Sequence, residues 1–175
     1  MKDASVVANS DTYDALINAC AEGSEADRAF DVLRQMEAEG VKPSTTTYAL
    51  LISACGRAQQ LERAFSVMSD MERLGVGPDA VCYISLIYAC GRAQQIGTAL
   101  QVFDQMKRSG VTPTRATYTA LMSTCSQCGE PDRAASLHEE MVRHLGPGPP
   151  LVAKTEAATR LASAAAARAP TAAAG

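Results

Sequence analysis

A repeat of 35 residues is the feature that most constrains how this chain can fold. Four tyrosines are each separated by 35 positions, and four further residue types keep the same spacing. The repeated positions are Tyr13, Tyr48, Tyr83 and Tyr118; Leu16, Leu51, Leu86 and Leu121; Cys20, Cys55, Cys90 and Cys125; Ala29, Ala64, Ala99 and Ala134; and Met36, Met71, Met106 and Met141. A fixed period of this length predicts a stacked array of four units, at 10–44, 45–79, 80–114 and 115–149.

Each unit carries two helical patterns. In the first unit Tyr13, Leu16, Ile17 and Cys20 fall at i, i+3, i+4 and i+7, and a second apolar face follows from Ala29 to Met36. A polar break at 22–25 separates them, and Gly40 and Pro43 end the second helix. The scattered glycines are accordingly interpreted as hairpin caps. The pattern predicts an all-α chain of helical hairpins.

The apolar columns require neighbouring units, because one hairpin buries only one side of each helix. Each buried Leu, Ile or Met contributes roughly 1.5–3 kcal/mol, which suffices to order a stack. The tyrosine and methionine columns are therefore predicted to be core. The cysteine column is also predicted to be packing, not a disulfide framework, which favours a reducing compartment.

Charge is distributed unevenly along the array. The 175 residues include 16 Lys and Arg against 19 Asp and Glu, a net charge of −3, which argues against a generally polybasic nucleic-acid binder. By unit, the basic and acidic residues number 3 and 8 (−5), 3 and 4 (−1), 3 and 1 (+2), and 3 and 4 (−1). The middle of the array is the expected contact surface. No apolar run approaches the ~20 residues that a membrane-spanning helix needs, so no membrane partner is expected.

The ends differ from the repeats. Residues 1–9 form a short extension, and the alanine-rich segment 150–175 shows no fifth repeat. We expect this tail to be partly helical over 153–168, with Glu156 and Arg160 as an i,i+4 pair, and to be disordered after Pro170.

The repeat openings TYDALINAC, TYALLISAC, CYISLIYAC and TYTALMSTC, with endings such as MEAEGVKPS and MERLGVGPD, resemble those of the pentatricopeptide repeat family. The resemblance covers residues 10–149. It implies a right-handed superhelical solenoid that binds single-stranded RNA, one base per repeat, in mitochondria or chloroplasts.

The resemblance also implies which residues read bases, namely the residue after each repeat Tyr and the residue after each terminal Pro. Ala49 and Ile84 offer no polar group there, whereas Asp79 and Thr119 each match half of a usual combination. The pairs are Asp14 with Ser44, Ala49 with Asp79, Ile84 with Thr114, and Thr119 with Pro149.

Helix geometry places further residues on the same inner face, because positions three or four apart are neighbours. The first unit presents three carboxylates there, which would repel phosphate. Arg57 and Arg92 match the family position for backbone contact, Val81 could wedge against a base, and Tyr88 could stack on a base or anchor a protein. The four inner stripes are Asp11, Asp14, Asn18 and Glu22; Thr46, Ala49, Ser53 and Arg57; Val81, Ile84, Tyr88 and Arg92; and Ala116, Thr119, Ser123 and Gln127.

One pair of segments contains the residue types of a catalytic zinc site. Cys125-x-x-Cys128 and His138-Glu139 resemble the two halves of a zinc deaminase, but in the reverse order, and Cys125 is a repeated core position. The sequence therefore predicts no metal, no cofactor and no enzyme.

Two functions remain. The first is non-catalytic binding of single-stranded RNA in organelle RNA processing, stability or translation. The second is a protein-binding helical scaffold or a subunit of a larger assembly.

Overall fold

The computed structural model describes residues 9–147, which form eight α-helices. The helices are α1 (Ser10–Glu22), α2 (Ala26–Ala38), α3 (Thr45–Arg57), α4 (Leu61–Arg73), α5 (Ala80–Arg92), α6 (Ile96–Arg108), α7 (Arg115–Gln127) and α8 (Pro131–Leu145). Within these residues there is no strand. The predicted all-α helical-hairpin solenoid is confirmed. The predictions for the 150–175 tail, and the role of Pro149, lie outside the described residues.

The helices form two layers. The first helices of successive units, α1, α3, α5 and α7, pack side by side, and each second helix packs on its own partner and on the next first helix. Across residues 9–147, no Cα atoms of successive second helices come within 8 Å of each other. The first-helix layer is therefore the more tightly packed one and forms the inner, concave side of the array.

Helix N-termini are set by a column of polar residues with the same 35-residue spacing. The Asn9 side chain accepts a hydrogen bond from the Thr12 amide at 3.0 Å, and Asp79 accepts from the amides of Val81 and Cys82 at 3.0 Å each. Ser44 forms a capping box with Thr47, and at the start of α7 the Thr117 hydroxyl accepts from the Thr114 amide at 3.1 Å. This column starts all four first helices, because a side-chain oxygen satisfies amides that have no partner in the helix.

The core lies between the layers. All four column tyrosines and all four column methionines are buried, and all six cysteines are free thiols. Leu51, Leu86 and Leu121 are at most 1 % exposed, but Leu16 is 48 % exposed. The prediction that the leucine column is uniformly buried is thus wrong for Leu16, because no first helix precedes α1 among the described residues.

The interpretation of the glycines needs correction. Gly40, Gly75 and Gly110 have φ of 74–77° and end second helices, as predicted. Gly56 and Gly91 instead lie inside first helices. A Cβ built on Gly56 would stand 2.7 Å from the Ala89 Cβ, so its missing side chain permits close packing of α3 and α5.

Candidate nucleic-acid interface on the inner layer

A cleft of about 240 Å³ opens on the inner layer, at the junction of the second and third units. Helix α3 contributes Ser53, Gly56 and Arg57, and α5 contributes Ser85, Tyr88, Ala89 and Arg92. The 35-residue repeat positions the two helices side by side, and the Gly56–Ala89 contact sets how closely they approach. The structure thus brings together three of the residues predicted from sequence, Arg57, Tyr88 and Arg92.

The two cleft arginines differ from most other cations of the array. All six ion pairs found within residues 9–147 use a cation on a second helix, as in Arg73 with Asp70 at 2.7 Å and Lys107 with Glu140 at 3.2 Å. Arg57 and Arg92 take part in none of these pairs, and the buried Nε atom of Arg57 has no hydrogen-bond partner among residues 9–147. Their charge is therefore available to an external anion.

Helix position gives these arginines a second role. Arg57 and Arg92 are the last residues of α3 and α5, and Arg73 and Arg108 end α4 and α6 in the same way. A cation at a helix C-terminus is favourable because carbonyl groups there carry partial negative charge. The favourable interaction with the helix C-terminus accounts for an arginine at all four positions. Arg57 and Arg92 differ from the other two in lying on the inner layer.

The remaining predicted residues fall into two groups. Thr46, Val81 and Thr119 are exposed on first helices, and Val81 is 54 % exposed. Ile84 is half-buried, and Ala49 is only 3 % exposed because α3 is packed between α1 and α5. The expectation that Ala49 faces the open inner surface is therefore wrong.

Two of the residues predicted to read bases, those that follow the terminal Pro of a unit, lie at the N-termini of first helices. Asp79 and Thr114 start α5 and α7, as described above. The family resemblance implies base reading for both residues, and the capping role is a finding of the structure. Their position directly before each first helix, together with their short polar side chains, was the available signal.

At the first junction, between the first and second units, a hydrogen bond within the chain engages one of the predicted base-reading residues. The Thr47 hydroxyl donates to Asp14 Oδ1 at 2.6 Å, linking α1 to α3. Asp11 and Glu22 are exposed on the same helix. This end of the layer carries negative charge, in agreement with the −5 of the first unit.

Four of the six cysteine thiols are buried, and burial raises their pKa. Burial raises the pKa of Cys55 and Cys90 to about 11 and that of Cys82 to about 12, and it also raises the pKa of Cys125. A thiol with a raised pKa is a poor nucleophile and a poor metal ligand near neutral pH. Within the described part of the chain, no group of three His, Cys, Asp or Glu side chains is arranged to hold a metal ion. No helix described here has the length and apolar character needed to cross a bilayer.

Family comparisons agree with this architecture. A model described as the pentacotripeptide-repeat region of PRORP matches residues 1–96, a pentatricopeptide repeat domain model matches 66–127, and a PPR repeat model matches 116–144. The chain belongs to the pentatricopeptide repeat family. No curated protein matches it.

Solved structures share the fold. The chain is 24% identical to the pentatricopeptide repeat protein PPR10 from maize, with a TM-score of 0.72 over 81% of this chain and 20% of that one. For PPR10 in complex with an 18-nt psaJ RNA element the identity is 26% and the TM-score 0.75, over 94% and 24%. The chain thus spans about a quarter of the length of PPR10. The PPR domain of Arabidopsis thaliana protein-only RNase P 1, in complex with tRNA, shares the fold at 18% identity and a TM-score of 0.66, over 91% and 83%.

Proposed function

We propose that this chain binds single-stranded RNA without catalysing a reaction on it, and that it supports processing, stability or translation of transcripts in a mitochondrion or chloroplast. The observation that carries the proposal is the inner-layer cleft with two arginines that make no ion pair within the part of the chain that the structure describes. RNA supplies phosphates that such cations attract. The organelle rests on the family resemblance.

Two further observations support RNA as the ligand. A PPR10 structure that contains a bound RNA element has the same fold, at a TM-score of 0.75. In addition, most cations on the second helices are in ion pairs, whereas Arg57 and Arg92 on the inner layer take part in none of the pairs found within residues 9–147. The raised pKa of the buried Cys55, Cys82 and Cys90 thiols disfavours these three side chains as nucleophiles.

A matched pair of double variants tests the proposal. The variant Arg57→Glu/Arg92→Glu reverses the two cleft charges. The variant Arg73→Glu/Arg108→Glu makes the same charge change at the last residues of α4 and α6, which belong to the second-helix layer, called the outer layer below. Fluorescence anisotropy with a short unstructured RNA at two salt concentrations should show RNA bound by the wild type and by the outer-layer variant. The cleft variant should lose most of this binding. Equal binding by both variants would contradict a site in the cleft.

A protein-binding scaffold remains the second candidate, because apolar side chains are exposed on first helices. Val81 is 54 % exposed and Leu16 is 48 % exposed. A folded wild-type chain that binds no RNA even at low salt would contradict the RNA proposal and favour this one.

A further inference from the structure

The side chains that could read base edges are already engaged within the chain. Asp14 accepts from Thr47 at 2.6 Å, and the Thr119 hydroxyl donates to the Arg115 carbonyl at 2.9 Å. Ser44, Asp79 and Thr114 cap helices. Ala49 is buried and Ile84 is apolar. Reading a base edge needs polar atoms that are free to bind it, and these intrachain contacts reduce the number of such atoms at these positions.

Tyr88 offers a different kind of contact. It lines the cleft and is 37 % exposed, whereas the four column tyrosines are at most 4 % exposed. At the equivalent position the other units have Asn18, Ser53 and Ser123, so an aromatic ring occurs only in the third unit. An exposed ring in a groove that also holds cations is the arrangement that binds single-stranded nucleic acid through base stacking.

The cleft also has an unmet hydrogen-bonding capacity. The Nε atom of Arg57 is buried and has no partner within the described residues. A buried N–H group without an acceptor is unfavourable, and it becomes available to an external acceptor when the half-buried Arg57 side chain moves toward the cleft. A planar guanidinium can bind a phosphate oxygen or stack on a base next to Tyr88.

The other two junctions are less suited to a base. At the first junction α1 presents Asp11 and Glu22, which repel phosphate. At the third, Gln127 occupies the position of Arg92, and its Oε1 atom would lie 3.2 Å from a Cβ on Gly91. That junction therefore replaces a cation with a neutral side chain that lies close to the helix surface.

We infer that Tyr88 is a stacking platform for one unpaired RNA base at the junction of the second and third repeats, and that the chain consequently binds single-stranded RNA with little sequence preference. The inference rests on the proposed function and gives it a binding mode. Stacking tolerates any sequence because every base has a π-face. One dominant base site, not one site per repeat, follows from the differences among the junctions.

The test combines Tyr88 variants with different RNAs. Anisotropy titrations would use the full chain with short oligo(A), oligo(U) and oligo(C) probes. An abasic ribose-phosphate oligonucleotide of the same length would serve as a probe without bases. Tyr88→Phe keeps the ring, and Tyr88→Leu keeps an apolar side chain without a π-face. Leu74→Ala, which removes a side chain that is 60 % exposed at the end of α4, serves as a surface control. Thermal unfolding would confirm that each variant folds.

The expected result is binding of the three RNAs within about tenfold of one another. Tyr88→Leu and loss of the bases should each weaken binding roughly 5- to 150-fold, which corresponds to about 1–3 kcal/mol of stacking. Tyr88→Phe and Leu74→Ala should bind like the wild type. RNA binding that is insensitive to Tyr88→Leu, or that depends strongly on sequence, overturns the inference but leaves the proposed function intact. A wild-type chain that binds no RNA overturns both.

Discussion

Gly56 of α3 lies directly against Ala89 of α5, so that a Cβ added to Gly56 would stand 2.7 Å from the Ala89 Cβ and 2.9 Å from its Cα. The contact lies in the wall of the cleft, and Arg57, the next residue, is thereby held beside α5. The absence of one side chain thus sets both the spacing of two repeats and the shape of the candidate site.

Gly56→Ala should therefore destabilise the fold by about 1–3 kcal/mol, because the backbone of α5 cannot yield as a flexible side chain would. Urea unfolding followed by circular dichroism measures the change. Gly97→Ala is the matched control, since Gly97 lies in α6 with nothing within 4 Å of the added Cβ. It should be neutral or stabilising by up to about 1 kcal/mol from helix propensity. Equal effects of the two substitutions would contradict the packing role of Gly56.

The repeated leucines should differ in energetic contribution even though the sequence makes them equivalent. Leu86 is 1 % exposed, so Leu86→Ala should cost about 2–5 kcal/mol in the free energy of unfolding. Leu16 is 48 % exposed, and Leu16→Ala should cost about 0.5 kcal/mol or less. Denaturant midpoints of the two variants provide the comparison. A large loss in Leu16→Ala would show that another part of the protein covers this face.

Arg63 joins the first two units by contacts with α2, and the equivalent position in the third unit has a threonine. Arg63 lies 2.6 Å from Asp27 Oδ1 and 4.0 Å from the centre of the Phe30 ring. One repeat later Glu62 and Phe65 stand in place of Asp27 and Phe30, but Thr98 replaces the arginine.

Thr98→Arg should rebuild this cluster and stabilise the fold by about 0.5–1 kcal/mol, the usual contribution of an exposed ion pair with a cation–π contact. Thr98→Gln, a long uncharged side chain, is the control. Thermal unfolding at low and high salt measures the gain, which should shrink as salt screens the ion pair. A gain equal to that of Thr98→Gln would exclude the ionic contribution.

The buried thiols predict how stability depends on pH. Burial holds the pKa of Cys82 at about 12 and those of Cys55 and Cys90 at about 11, above the ordinary value of 9.0. Above pH 9 the unfolded chain loses these protons while the folded chain keeps them, so the unfolded state binds fewer protons. Stability should be fully present below pH 9 and fall as the pH rises toward 11–12.

Urea unfolding under reducing conditions from pH 7 to pH 11 measures this dependence. The variant Cys82→Ala should show a shallower fall than the wild type above pH 9. A parallel alkylation experiment at neutral pH should modify the half-buried Cys20 and Cys128 before the four buried cysteines. A free energy of unfolding that stays constant over this pH range would contradict the burial of the thiols.

The repeat period predicts most of the fold. Tyrosine, methionine and cysteine columns at helical spacing predicted eight helices in four hairpins, because one face of every helix had to be buried. The exposure of Leu16 could not be read from its column, since it depends on what lies before α1. The packing role of Gly56 could not be predicted either, because it depends on Ala89, a residue on another helix.

The candidate site was predicted in part. Spacing placed Arg57, Tyr88 and Arg92 on one face, and the structure joins them in one cleft. Spacing did not predict the burial of Ala49, which depends on how closely three first helices pack. Asp14, Asp79 and Thr119 also make hydrogen bonds within the chain. Residue spacing does not predict these bonds, because they depend on the positions of neighbouring helices and backbone groups in the folded structure.

The location of bound RNA is tested most directly by photo-cross-linking followed by mass spectrometry of the peptides. A short RNA carrying 4-thiouridine would be cross-linked to the full chain and the attached nucleotide mapped. Attachment is expected within the stretch between Arg73 and Arg92, at Tyr88 on the wall of the cleft. Cross-links confined to the second helices α2, α4, α6 and α8, from RNA that binds with measurable affinity, would contradict this location.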